Sequence, residues 1–356
     1  VSRNAQLEFV LRLLHRVAGR FALAVLLWLG QVCRADQHTQ TNAPKVRVIV
    51  VEDAAAVHLF EPRAEVVAAM VAKAITNLTG QPTPQAAWRS IVSSNDVVGI
   101  KVYTAPGAVC GTRVAVTAAV IEGLLAAGLG PTNIVVWDKR IADLQAAGFV
   151  ALANRYGIRV KGALESGYDE TVFYENQVLG TLVWGDLEFG RRGEVLGRNS
   201  YVSRLLSQQL TKIIIVSPLL NNNLTGVTGH LYSLALGSVD NSARFELSAD
   251  RLATALPEIF ALPALSDRVV LCITDALICQ YEGGQRCLLH YSSVLNQLWF
   301  AHDPVALDVL AVHEIERQRQ RASAPVRKLD LTVYQNAALL ELGASDTNRI
   351  EIVHLR

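Results

Sequence analysis

Between residues 46 and 160 the spacing of apolar positions alternates between two periods. Runs rich in β-branched residues at 46–51 (VRVIVV), 97–103 (VVGIKVY), 133–138 (NIVVWD) and 158–160 (IRV) read as strands. Between them, 61–78, 114–127 and 139–156 carry apolar residues at helical spacing, with Val66, Val67, Met70, Val71, Ala74 and Leu78 marking the face of the first. Gly80 and Pro82 stop that helix; Thr112 is placed to cap the second, which Gly128 and Gly130 stop. The order β-α-β-α-β-α-β predicts an α/β fold: a mainly parallel sheet with helices on both faces, a three-layer, Rossmann-like arrangement with right-handed crossovers.

The alternation breaks over 165–199. Gly167, Gly180, Gly185, Gly190, Gly193 and Gly197 punctuate short β-prone runs there, which predicts a small antiparallel β insertion. The pattern then resumes. Residues 213–216 (IIIV) read as a strand buried on both faces and ended by Pro218. Residues 246–262 read as a helix interrupted by Pro257, and 268–274 (RVVLCIT) as a second buried strand that delivers Asp275 at its carboxyl end. Asp303-Pro304 is a helix start, with Asp at the N-cap and Pro in the first turn. Residues 331–342 read as a last helix and 350–355 as an edge strand.

Loops beyond the carboxyl ends of parallel strands are where ligands gather in such sheets. Two stretches qualify. One is 221–230, NNNLTGVTGH, whose Asn221, Asn223, Thr225 and Thr228 lead into an apolar helix. Two glycines allow close approach of the backbone, and amides at a helix start favour an anion. The other reading of the same loop is that its Asn and Thr side chains bond only to their own backbone. The second stretch holds Asp275 and Glu282, carboxylates suited to a hard cation or to acid–base work; Asp275 as a mere turn residue is the competing reading. Asp308 adds a third acid in the second turn of a helix already capped by Asp303. Lys101 lies inside an apolar strand, where its ammonium needs an anion or a path to water.

Composition narrows this further. The chain has 356 residues, 51% hydrophobic and 18% charged, ample for a large core. Its first 35 residues differ from the rest: Arg3, Arg12, Arg16 and Arg20 precede the short apolar stretch FALAVLLWL at 21–29, and Cys33-Arg34-Ala35 offers small residues at a cleavage position. That is the pattern of a secretory signal peptide, with a polar linker over 36–45 and the α/β domain over 46–356. Loss of 1–35, with five arginines and one glutamate, takes the formal charge from +1 to −3. A mildly acidic chain gives no reason to expect nucleic acid as a partner, and after cleavage no stretch remains that is long enough to span a membrane. The remaining cysteines, Cys110, Cys272, Cys279 and Cys287, form no C-x-x-C pair, so no iron–sulfur cluster is expected. Cys279 and Cys287 flank a Gly-Gly turn and could pair in an oxidising compartment, although spacing alone does not fix a pairing.

Three segments carry a resemblance. Residues 211–245, TKIIIVSPLLNNNLTGVTGHLYSLALGSVDNSARF, resemble the central segment of the DUF362 family of uncharacterised α/β proteins. Residues 267–308, with ITDAL, the Gly-Gly turn and DPVALD, are similar to a second block of that family, and DVVGIKVY at 96–103 to a third. Position 103 is Tyr where the family pattern shows Asn. The resemblance covers roughly residues 44–320 and implies the α/β fold; the family has no agreed activity to carry over. No G-x-S-x-G, H-E-x-x-H, Walker loop or G-x-G-x-x-G occurs, against serine hydrolase, zincin, ATPase and NAD-dehydrogenase chemistry. The leading expectation is an exported enzyme acting on a small anionic substrate, with Asp275 and Asp308 as acid–base groups. Lys101, Asn221, Asn223, Thr225 and Thr228 would hold that substrate. A divalent cation (Mg, Ca or Mn) would sit on Asp275, Glu282 and Asp308. A non-catalytic binding or accessory module using the same cleft, and a redox-associated protein, are the alternatives.

Overall fold

The computed structural model describes residues 45–324 and 330–356. The expected signal peptide over 1–35 and all but the last residue of the linker over 36–45 lie outside the described residues. The unit Lys45–Arg356 is built on one large sheet.

The chain enters through β1 (Val46–Glu52) and a short hairpin, β2 (Val57–His58) and β3 (Glu61–Pro62). Helices α1 (Ala64–Thr79) and α2 (Pro84–Ile91) lead to β4 (Val98–Val102). After α3 (Gly107–Cys110) and α4 (Val114–Ala126) come β5 (Ile134–Asp138), α5 (Ile141–Ala146), α6 (Phe149–Tyr156) and β6 (Arg159–Gly162). The glycine-rich stretch forms β7 (Tyr168–Thr181) and β8 (Leu196–Ser203), an antiparallel pair outside the main sheet, as expected. Next follow β9 (Lys212–Asn222), β10 (Gly226–Val227), α7 (Gly229–Ser238) and α8 (Ala249–Phe260). The chain closes with β11 (Val269–Gln280), β12 (Ser292–Ala301), α9 (Pro304–Arg321), α10 (Thr332–Leu339) and β13 (Ile350–Leu355).

The strand order is β13-β1-β12-β11-β9-β4-β5-β6. Every adjacent pair is parallel except those made by β12, which runs against both β1 and β11. This is the mainly parallel α/β sheet that the alternation predicted. Its two faces are covered separately. Ile49, Val98, Ile100, Ile214, Val216 and Ile273 pack with α1, α2, α4, α5 and α6. Val50, Ile213, Ile215, Cys272, Ala276 and Trp299 pack with α7, α8, α9 and α10. Alternate residues of one strand therefore serve different layers.

Several local expectations are corrected. Pro218 does not end its strand: β9 continues to Asn222. The last partner of β9 on β4 is Val216, so past that rung β9 has a free flank where a residue without an N–H is tolerated. β11 likewise continues past Asp275 to Gln280, with a break in register after Ala276. Asp275 thus lies within a strand rather than at its end. The helix expected over 139–156 is two helices, separated at Gly148, whose φ of 89° an α-helix cannot accommodate. Thr112 does not cap α4. Its hydroxyl donates to the Val216 carbonyl (2.7 Å) and accepts from the Tyr103 amide (2.9 Å), tying β4 to β9 instead.

Candidate functional site

α7 decides where polar side chains can go. All ten of its residues are buried, and it follows β9 on the face opposite to α4, which follows β4. β4 and β9 are neighbours whose connections leave in opposite directions across the sheet, so a crevice opens between their carboxyl ends. Glycines near the two ends of α7 admit a side chain each. A Cβ on Gly229 would lie 2.4 Å from Asp308 Oδ1, and one on Gly237 would lie 2.6 Å from Lys101 Cε.

At the first turn of α7 the guest is a carboxylate from the chain itself. Asp308 Oδ1 accepts from the His230 amide (2.7 Å) and Oδ2 from the Leu231 amide (3.0 Å). The His230 ring Nδ1 lies 2.7 Å from Oδ1, with both residues fully buried. The helix N-terminus expected to receive a foreign anion is therefore occupied by Asp308. The glycines admit side chains of the same chain: Gly226 makes room for Val312 and Gly229 for Asp308. The rest of the loop bonds to itself. Asn222 Oδ1 accepts from the Leu224 amide (2.9 Å), and Thr225 donates to the Val227 carbonyl (2.8 Å). Asn221 reaches Asn223 (3.3 Å) and accepts from the Gly284 amide (2.8 Å), which fixes the 281–291 loop. Asn223 is exposed, and the Thr228 hydroxyl is buried with no hydrogen-bond partner among the described residues.

Asp275 has a different partner. Its Oδ1 lies 3.0 Å from Arg113 Nη1 and its Oδ2 accepts from the Arg113 amide at 3.0 Å; the carboxylate is fully buried and Arg113 6% exposed. Glu282 pairs with Arg319 (3.3 Å). The three acids named for a cation are thus not brought together. Among the described residues no group of three or more His, Cys, Asp or Glu side chains is placed to hold a metal ion. Strand parity is the reason that Asp275 and Lys101 do not converge. Asp275 alternates with Thr274 and sides with Ile273 towards α4; Lys101 alternates with Ile100 and points towards α7.

Lys101 Nζ donates to Asp138 Oδ1 (2.8 Å), the Val102 carbonyl (2.6 Å) and Ser233 Oγ (3.0 Å). Three acceptors use all three ammonium hydrogens, and the group has no exposed surface. Burial lowers its pKa, while Asp138 acts against that shift. Asp138 also accepts from the Lys139 amide (2.8 Å), the Thr104 amide (2.7 Å) and the Thr104 hydroxyl (2.6 Å). Lys101 and Asp138 therefore close the floor of the crevice and leave neither charge free for a ligand.

What faces the crevice is a set that motif reasoning missed. A cavity of about 230 Å³ lies beyond β4 and β5 and against α7, bordered by Tyr103, Lys139, Arg140, Tyr232, Ser242 and Glu246. Lys139 is the first residue after β5 and is half-buried; its ammonium donates to Ser242 Oγ and makes no ion pair with a carboxylate among the described residues. Burial lowers its pKa, with Glu246 the largest opposing influence. Tyr232 donates to Glu246 Oε2 (2.7 Å). Burial raises the pKa of both Tyr232 and Tyr103, and keeps both phenols protonated. Gln285 reaches over from the 281–291 loop to the Tyr103 hydroxyl.

A disulfide secures that loop. Cys110, in the connection after β4, joins Cys287, in the connection after β11, with Cα atoms 5.4 Å apart. Cys287 does not pair with Cys279, the one partner the sequence suggested for it: Cys279 is a buried free thiol within β11, which keeps its side chain in the core.

No protein-family model and no curated protein matches the chain. Among solved structures it is similar to the crystal structure of a Thermotoga maritima protein determined by a structural genomics consortium, with 12% identity and a TM-score of 0.42. The match covers 77% of this chain and 62% of that one, so the chain spans less than two thirds of the neighbour's length.

Proposed function

We propose that this protein binds a small anionic molecule in the crevice beyond β4, β5 and β9, with Lys139 and Arg140 as the cations that hold it. The observation that carries the reading is Lys139, a half-buried ammonium at the carboxyl edge of a parallel sheet with no carboxylate partner. A buried or half-buried cation is normally paired; here Asp138, the nearest acid in sequence, is already engaged by Lys101. At about 230 Å³ the cavity is below the roughly 300–1,000 Å³ of drug-sized sites, which favours a small metabolite. Lys101 is then a positioning residue that keeps Asp138 away from Lys139. No divalent cation enters this reading, because Asp275, Glu282 and Asp308 each have a partner of their own.

Kinship with the DUF362 family and export are parts of the same proposal. The family reading rests on the segments 96–103, 211–245 and 267–308. Export is supported by the Cys110–Cys287 disulfide, since such bonds persist in oxidising compartments. The experiment is a thermal-shift screen of the protein against phosphate, sulfate and small carboxylates, repeated on Lys139→Met. The expected result is that one or more anions raise the melting temperature of the parent and not of the variant. Equal shifts in both proteins would overturn the assignment of the crevice.

A further inference from the structure

We propose that Lys139 is a covalent nucleophile, which captures a small carbonyl-bearing acid as an imine in the crevice between β4, β5 and α7. This rests on the anion-binding reading and gives that site a substrate class and a reaction.

The surroundings of Lys139 also suit an amine nucleophile. Its Nζ has one polar partner among the described residues, the neutral Ser242 hydroxyl, which fixes its direction without neutralising it. Asp138, on the preceding residue, accepts four hydrogen bonds from Lys101, Thr104 and the Lys139 amide, so it has no lone pair aimed at Lys139. Burial lowers the Lys139 pKa and Arg140 adds to that shift, while Glu246, Asp186 and Asp240 act against it.

The same cavity holds a proton donor and acceptor. The Tyr232 hydroxyl is bonded to Glu246 Oε2 at 2.7 Å, and both border the space in front of Lys139. In the step proposed, the Nζ lone pair forms a bond to the carbonyl carbon. The carbonyl oxygen takes a proton from the Tyr232–Glu246 pair and the nitrogen returns one to it, giving a neutral carbinolamine. The second nitrogen proton then passes through the same pair to the oxygen, the C–O bond breaks, water leaves and the C=N bond forms. Amine and carbonyl compound become imine and water, with no oxidant or reductant. Arg140, exposed at the rim, reads the acid group of the substrate. The class is thus a 2-oxo acid or an aldehyde acid of a few carbons.

The experiment is reductive trapping with cyanoborohydride in the presence of glyoxylate or pyruvate, read by peptide mass spectrometry. The expected result is one reduced adduct on Lys139, formed at least about tenfold faster than on exposed lysines and persisting at pH values too low for those to react. Lys139→Arg keeps the cation and loses the amine nucleophile: it should retain anion binding in the thermal-shift screen and lose the adduct. Anion binding by the parent with no adduct on Lys139, or adducts spread over surface lysines, would overturn the inference and leave the binding site standing. Neither binding nor adduct would overturn both.

Discussion

The polar groups packed around α7 meet different fates. At its first turn Asp308 is matched by two backbone amides and His230, and across the sheet Asp275 is matched by Arg113. Those groups close on one another and expose almost no surface. Beside Ser233 and Gly237, Lys101 and Asp138 close in the same way, but their neighbours do not: Lys139 and the Tyr232–Glu246 pair border a cavity. A strongly patterned motif can therefore mark the place where a fold holds itself together. The polar groups that remain available are the better guide to a ligand.

The first way to break the comparison is to remove an acid from the closed region. Asp275→Ala strands the Arg113 guanidinium in the interior, and loss of one partner of a buried pair costs about 3–5 kcal/mol. Asp308→Ala removes a helix cap and the partner of His230 together, with a cost of similar size. Urea unfolding should show both as a large fall in the midpoint at unchanged slope. A loss below about 1 kcal/mol would mean that these pairs are not the structural elements described here.

A second, smaller effect concerns the strap between the regions. Replacing Cys110 and Cys287 by serine should cost about 2–4 kcal/mol, the usual range for loss of a native disulfide. It should also speed amide exchange over residues 281–291, which carry Gln285 to Tyr103. Unchanged exchange there would show that Asn221, through Gly284, holds the loop alone.

The third effect is a pH dependence on the crevice side. Burial raises the pKa of Asp240 from about 3.8 to about 6, although its carboxylate accepts from the Leu187 amide (2.7 Å) and the Tyr201 amide (2.6 Å). A carboxyl group with a raised folded-state pKa binds its proton more tightly folded than unfolded. Its contribution to stability is therefore largest below about pH 4 and falls as pH rises through 6. The change is on the order of 2–3 kcal/mol. Asp240→Asn should flatten that part of the stability profile; an unaltered slope between pH 4 and 6.5 would contradict the assignment.

Much of the fold was legible because it rests on period. The buried runs at 46–51, 97–103, 133–138 and 213–216 became strands, and Asp303-Pro304 started α9 with Asp303 Oδ1 accepting from the Ala306 amide at 2.8 Å. What escaped depends on neighbours. β12, SSVLNQLWFA, is only half-buried until Leu298, so its pattern did not announce a strand that runs against both of its neighbours. Pro218 reads as a stop unless one knows that β4 has already ended beside it. The acids were visible, but their partners were not: nothing in the spacing of Asp275 places Arg113 beneath it. Lys139 did carry a signal. It is the first residue after the strand NIVVWD, and the rule that drew notice to Asp275 applies to it as well.

The smallest effect on stability belongs to Lys139, and the account depends on it. Lys139→Met removes a half-buried ammonium that pairs with no acid, so stability should move by no more than about 0.5 kcal/mol. The direct measurement is isothermal titration of an anion that shifts the parent in the screen into Lys139→Met and into Asp275→Asn. Asp275→Asn keeps the shape of the carboxylate and should lose about 1–3 kcal/mol of stability while remaining folded. The account predicts that Asp275→Asn binds as the parent does and that affinity falls at least about tenfold in Lys139→Met. Binding lost in Asp275→Asn and kept in Lys139→Met would contradict it.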